Sequence, residues 1–150
     1  MTRPLALARR LAPPLAWMAL IISFSTNTFS AENTAGIIGP ILKWIAPWLQ
    51  PDELEFVHGL IRKLAHLTEY GVLGLLWFRA LGHDRKTGLF TAAGGSLLIC
   101  IAWAAMDEWH QSFVPSRTAS VVDVAIDSSG ALLALIGMVV LMRIRKRAES

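Results

Sequence analysis

Long runs without a charged residue constrain this chain most. The runs Leu11–Ala31, Thr87–Met106 and Ser128–Met142 contain no Asp, Glu, Lys or Arg. A helix that crosses the hydrocarbon core of a bilayer needs about 20 predominantly apolar residues. The first two runs are long enough, and the third becomes long enough if its helix begins near Ser120. These runs predict membrane-spanning helices, because a helix satisfies its own backbone polar groups within lipid.

The composition agrees with a membrane protein and excludes several other classes. Asp, Glu, Lys and Arg make up 17% of the 150 residues, against about 25% in soluble domains. The single cysteine, Cys100, excludes an intrachain disulfide framework. The net charge of +3 does not indicate nucleic-acid binding, because the basic residues lie between the apolar runs. We therefore predict no nucleic-acid partner.

A fourth candidate span covers residues 64–81, with His66 and Glu69 inside the membrane. The sequence thus predicts an all-α, polytopic membrane protein that forms one domain, residues 1–150. Its four transmembrane helices are predicted at about residues 11–29, 64–81, 88–106 and 120–142.

The basic residues predict the orientation of these helices. If both termini are cytoplasmic, most of the 14 Lys and Arg residues lie on the cytoplasmic side, as the positive-inside rule requires. We therefore expect a multi-pass protein of the inner (cytoplasmic) membrane with an extended outer loop between helices 1 and 2. Trp44 and Trp48 in this loop favour the outer membrane surface. The first span also fits a cleaved signal peptide, but no small-x-small cleavage site follows it, which favours a retained helix.

Polar residues gather near the outer ends of the predicted spans. At helical spacing Lys63, His66 and Tyr70 share one face, and Glu69 borders it. An unpaired charge at the bilayer centre costs roughly 3 kcal/mol or more, so these residues should face one another. We predict an acid-rich, outward-facing pocket whose ligand-binding residues are Lys63, His66, Glu69, Tyr70, Asp107, Glu108, Gln111, Arg117, Asp123 and Asp127. His58 and His110 are expected to be solvated.

Three motifs in order resemble those of VanZ-like membrane proteins over about residues 17–141. They are Lys63-x-x-His66-x-x-Glu69-Tyr70-Gly71, Asp107-Glu108-x-x-Gln111-x-Phe113-Val114-Pro115-x-Arg117 and Ser120-x-x-Asp123-x-x-x-Asp127-x-x-Gly130. The resemblance implies the membrane fold and a link to glycopeptide resistance, because the founding member of the family confers low-level resistance to teicoplanin. It implies no particular reaction. Asp127 departs from the Asn that is usual in the family, which argues against a neutral amide role at this position.

Three functions fit these residues. In the binding hypothesis, which we favour, the pocket recognises a lipid-linked cell-wall precursor or a lipoglycopeptide, with membrane lipids as further partners. In the enzyme hypothesis Glu69 or Glu108 is the general base, His66 is its acid partner and Arg117 clamps an anionic group. In the structural hypothesis the polar residues only hold the bundle together.

Metal and cofactor chemistry are not expected. The chain has no HExxH sequence and no cysteine pair, which are the stronger signals of a metal site. A divalent cation held by His66, Glu69, Asp107 and Glu108 is the weaker alternative. The sequence does not determine the oligomeric state.

Overall fold

The structure, a computed structural model, describes residues 3–25, 31–82, 87–113 and 120–149. These residues contain no strand, and the prediction of an all-α protein is confirmed for them. The helices are α1 (Arg3–Phe24), α2 (Ala31–Ile45), α3 (Pro51–Leu81), α4 (Leu89–Gln111) and α5 (Val121–Ala148).

Three of these helices, α1, α4 and α5, are long and apolar enough to cross a membrane. By length and composition the chain is therefore a multi-pass membrane protein. The fourth predicted span lies in α3, which has 31 residues. Charged residues such as Lys63 and Glu69 occur along α3, and it is not among the helices that qualify by apolar composition. The crossing of the membrane by α3 stays a prediction.

Two features of the N-terminal part differ from the sequence prediction. Helix α1 already begins at Arg3, before the predicted start of the first span at about residue 11, so Pro13 and Pro14 lie in its interior. The connection predicted as a long loop contains α2. Apolar side chains of α2 are exposed, and Trp44 is 84% accessible, as expected for a helix that lies on a membrane surface. The placement of this segment on the outer surface stays a prediction.

Helix α1 runs antiparallel to α3. Near the start of α1 the Arg10 Nε donates a hydrogen bond to the carbonyl oxygen of Ala80. Further along α1 the Trp17 Nε1 donates to the carbonyl oxygen of Glu69 over 2.9 Å. The two bonds fix the register of the two helices. A buried core joins all four long helices and includes Ile21, Tyr70, Leu73, Cys100, Ala104 and Ala131.

Helix α5 approaches α3 at Gly130. A Cβ atom at this position would lie 2.1 Å from the carbonyl oxygen of Leu67, so only glycine fits there. Small residues allow helix backbones to approach closely within a membrane. The next glycines of α3, Gly71 and Gly74, continue the approach with Cβ separations of 3.4 Å from the backbone of α5. This close packing brings the polar residues of α3 and α5 into contact.

Candidate functional site

A polar pocket of about 150 Å³ lies between the first half of α3, the end of α4 and the start of α5. Most of the predicted ligand-binding residues line it, namely Lys63, His66, Glu108, Gln111, Asp123 and Asp127. Sequence reasoning missed Gly59, Arg62 and Ile126, which also line the pocket. Gly59 and Arg62 lie one helical turn before Lys63 and His66. Extending the polar face of α3 by one turn would have found them.

His66 and Asp127 form the contact between α3 and α5 at this pocket. His66 Nδ1 lies 3.3 Å from Asp127 Oδ1, and Asp127 is 1% exposed. The separation is that of an ion pair, but neither atom has a hydrogen-bond partner of good geometry among the described residues. Neither oxygen of the Asp127 carboxylate has one. Asp127 is therefore a buried carboxylate at the pocket whose nearest cationic partner is His66.

Glu108 joins the end of α4 to the start of α5. Its Oε2 accepts a hydrogen bond from the backbone N–H of Ser120 over 2.8 Å. The Ser120 hydroxyl in turn accepts from the N–H of Val122 over 3.2 Å, as an N-cap of α5. Glu108 therefore fixes the first turn of α5, which carries Asp123. Of the two catalytic candidates with a carboxylate, only Glu108 lines the pocket.

Asp107, predicted as a ligand-binding residue, does not line the pocket and is fully buried. Its Oδ2 accepts hydrogen bonds from the Ser25 hydroxyl over 2.8 Å and from Gln111 Nε2 over 3.0 Å. Its Oδ1 has no hydrogen-bond partner among the described residues. The burial follows from the length of α4, which continues through Gln111 and turns Asp107 toward the end of α1. Asp107 thus ties α1 to α4.

The remaining predicted residues have other positions. Tyr70 is fully buried in the core, and its hydroxyl has no hydrogen-bond partner within the described part of the chain. Glu69 is half-buried, does not line the pocket and receives the Trp17 bond on its backbone oxygen. Arg117 lies outside the described residues. His110 is exposed, as predicted, but His58 is buried, so its predicted solvation is wrong.

The charges of the pocket are divided between its walls. Arg62 and Lys63 on α3 are basic, whereas α4 and α5 contribute the acids Glu108, Asp123 and Asp127. Such a lining suits a ligand that carries an anionic group beside amine, amide or hydroxyl donors. In the described part of the chain no group of three or more His, Cys, Asp and Glu side chains is arranged to hold a metal ion.

Comparison with known proteins identifies one family. A family model described as VanZ/LLP1 matches residues 11–143. This range includes α3 and α4 in full, most of α1 and α5, and every residue that lines the pocket. No curated protein and no solved structure matches the chain in the same comparisons.

Proposed function

The chain belongs to the VanZ/LLP1 family, and on this premise we propose that its pocket binds the polar head of an amphiphile at the outer surface of the cytoplasmic membrane. The ligand class is a lipid-linked cell-wall precursor or a lipoglycopeptide. By holding such a molecule the protein would contribute to glycopeptide resistance of the teicoplanin type.

The positions of four arginines support an orientation in which the pocket faces the outer side of the membrane. Arg9, Arg10 and Arg79 lie together at the end of the bundle opposite the pocket. Arg143 stacks over Phe90, 4.8 Å from its ring centre, at the start of α4 and the end of α5. The positive-inside rule assigns this end to the cytoplasm. In this orientation α3 is the fourth crossing, since it lies antiparallel to α1, and the pocket opens on the outer side.

The buried carboxylate of Asp127 carries the proposal. It lines the pocket, and neither of its oxygens has a hydrogen-bond partner among the described residues. An amine, amide or hydroxyl of a ligand would supply the missing donor. Arg62 and Lys63 on the facing wall would then hold a phosphate or carboxylate of the same ligand.

The size of the pocket limits how much of such a ligand can enter it. A volume of about 150 Å³ accommodates a small polar group but not a whole lipid-linked precursor or glycopeptide. The remainder of the ligand would lie outside the pocket, with its lipid tail beside the apolar helices. Phe56 and Leu60, on the first half of α3 near the pocket, are exposed apolar side chains and provide a surface for the tail.

The pair of His66 and Asp127 favours an enzyme as the second candidate. An aspartate that accepts a hydrogen bond from histidine Nδ1 orients the imidazole as a general base, and the 3.3 Å separation of Asp127 Oδ1 and His66 Nδ1 is within reach of such a bond. His66 would take the proton of an attacking water or substrate hydroxyl, and Arg62 or Lys63 would hold the anionic group. In this case the same amphiphile would be a substrate and not only a ligand.

The proposal is tested in bacteria that produce the wild type or single variants at equal levels, as checked by immunoblot. Asp123→Asn and Lys63→Gln change the two walls of the pocket, and Asp52→Asn and Lys43→Gln are matched controls on exposed positions of α3 and α2. We expect the wild type and the controls to raise the inhibitory concentration of teicoplanin and both pocket variants to lose the effect. Equal protection by all variants would refute the pocket as the working site.

The same cells distinguish the binder from the enzyme. The lipid-linked precursors are extracted and measured by mass spectrometry in cells with the wild type and with His66→Gln. A binder leaves their covalent structure unchanged in both. A product that forms with the wild type and disappears with His66→Gln would identify the enzyme.

A further inference from the structure

A groove of about 310 Å³ lies between the first half of α4 and the second half of α5. Its walls run from Phe90 to Leu97 on α4 and from Leu132 to Val140 on α5, and every residue that lines it is apolar. Both helices are long and apolar enough to cross a membrane, so the groove opens to the hydrocarbon core. It shares no described residue with the polar pocket, and its occupant is independent of the proposed function.

Gly94 on α4 leaves the space that forms this groove. It lines the groove and is exposed, and a Cβ atom at this position would meet nothing within 4 Å. Phe90 and Leu97, one turn to either side on the same face, bound the gap. Leu135, which is 3% exposed, forms its floor. The apolar walls of such a gap lack packing partners unless a molecule from the membrane fills it.

The length of the groove distinguishes a lipid chain from another helix. From Leu132 to Val140 a helix rises about 12 Å, whereas a transmembrane helix crosses about 30 Å of hydrocarbon. An acyl chain of a single leaflet occupies about half of that thickness, which is close to the length of the groove. A helix of a second copy would pack along a longer part of α4 and α5. The dimensions therefore favour one acyl chain.

A cation lies at one end of the groove. Arg143 is the first charged residue after the uncharged run Ser128–Met142, so it marks the edge of the hydrocarbon core. Its guanidinium carbon lies 4.8 Å from the ring centre of Phe90, which lines the groove. This cation–π contact fixes the position of the guanidinium without using its N–H donors. These donors can therefore pair with the oxygens of a phosphate.

From the groove and the cation together we propose that this site binds an anionic phospholipid, with one acyl chain in the groove and the phosphate at Arg143. The chain would remove the apolar walls around Gly94 from the gap and pack against them. Basic residues at the edge of the hydrocarbon core favour anionic headgroups. The bound lipid would contact both α4 and α5 and stabilise their packing at this end.

Native mass spectrometry of the detergent-purified full chain tests this site. The probes are phosphatidylglycerol and phosphatidylcholine with identical acyl chains. Gly94→Leu fills the groove, and Gly137→Leu is its matched control, because a Cβ at Gly137 also meets nothing within 4 Å and Gly137 does not line the groove. Arg143→Gln removes the cation, and Lys146→Gln, at the exposed end of α5, is its control.

We expect the wild type and both controls to retain phosphatidylglycerol in preference to phosphatidylcholine. Gly94→Leu should retain about tenfold less of both lipids, because the loss of about two buried methylene groups changes an affinity by this factor. Arg143→Gln should retain both lipids, but its preference for phosphatidylglycerol should fall by about fivefold.

Three results would overturn the proposal. Wild-type retention in Gly94→Leu, or an equal loss in Gly137→Leu, would show that the lipid does not lie in the groove. An unchanged preference for phosphatidylglycerol in Arg143→Gln would refute the place of the headgroup, and this variant decides the test if Gly94→Leu elutes as an aggregate. A wild-type dimer that Gly94→Leu disrupts without any change in lipid retention would assign the groove to a second copy of the chain.

Discussion

The approach of α5 to α3 at Gly130 allows a prediction with a magnitude. In Gly130→Ala the new Cβ would lie 2.1 Å from the Leu67 carbonyl oxygen, against 3.4 Å for an ordinary contact. The two backbones must therefore separate by about 1.3 Å, because the obstructing atom cannot rotate away as a side chain would. Overpacking of this kind lowers the free energy of unfolding by about 3 kcal/mol. The shift would also separate His66 from Asp127.

Thermal unfolding of the purified protein in detergent measures this cost. Size-exclusion chromatography after heating gives the fraction of protein that stays folded at each temperature. We expect the melting temperature of Gly130→Ala to fall by about 6–12 °C for a chain of this size. Gly137→Ala, on the same helix, is the matched control because a Cβ there meets nothing within 4 Å. It should melt at or slightly above the wild-type temperature. A melting temperature of Gly130→Ala equal to that of the wild type would refute the proposed close packing.

Three further substitutions or probes test other contacts. Ser25→Ala removes a donor to the buried carboxylate of Asp107 and should lower the free energy of unfolding by about 1–3 kcal/mol, as measured by thermal unfolding. Trp17→Phe removes the 2.9 Å bond to the Glu69 carbonyl oxygen and should cost about 1 kcal/mol in the same assay, so an unchanged stability would contradict the register of α1 and α3. Cys100 is fully buried, so maleimide should label it only after unfolding in sodium dodecyl sulfate, and rapid labelling of the native protein would contradict its place in the core.

The apolar runs predicted α4 and α5 well because the physical constraint on a membrane helix is simple. Charge-free length and a Ser N-cap at position 120 are visible in the sequence. Helix α2 was not predicted because Pro40 and Pro47 interrupt its region, and proline usually ends a helix. The early start of α1 was missed because the basic residues before Leu11 suggested a flank outside the membrane helix.

The sequence predicts correctly those residues of the candidate site that helical spacing alone brings to one face. Lys63 and His66 share a face of α3, and both line the pocket. The burial of Asp107 could not be predicted because it depends on a contact with Ser25, directly after α1 and 82 residues away in the chain. The missed burial of His58 has the same origin, since single-sequence spacing does not show which helix covers a given face.

In the proposed function, the pocket binds an amphiphile through the Asp127 carboxylate. The most direct measurement is the dissociation constant of a lipoglycopeptide or lipid-linked precursor for the full chain in lipid nanodiscs. We expect Asp127→Asn, which keeps the size and removes the charge, to bind about tenfold more weakly, and Asp52→Asn to bind like the wild type. Wild-type affinity in Asp127→Asn, or no binding by the wild type itself, would contradict the claim.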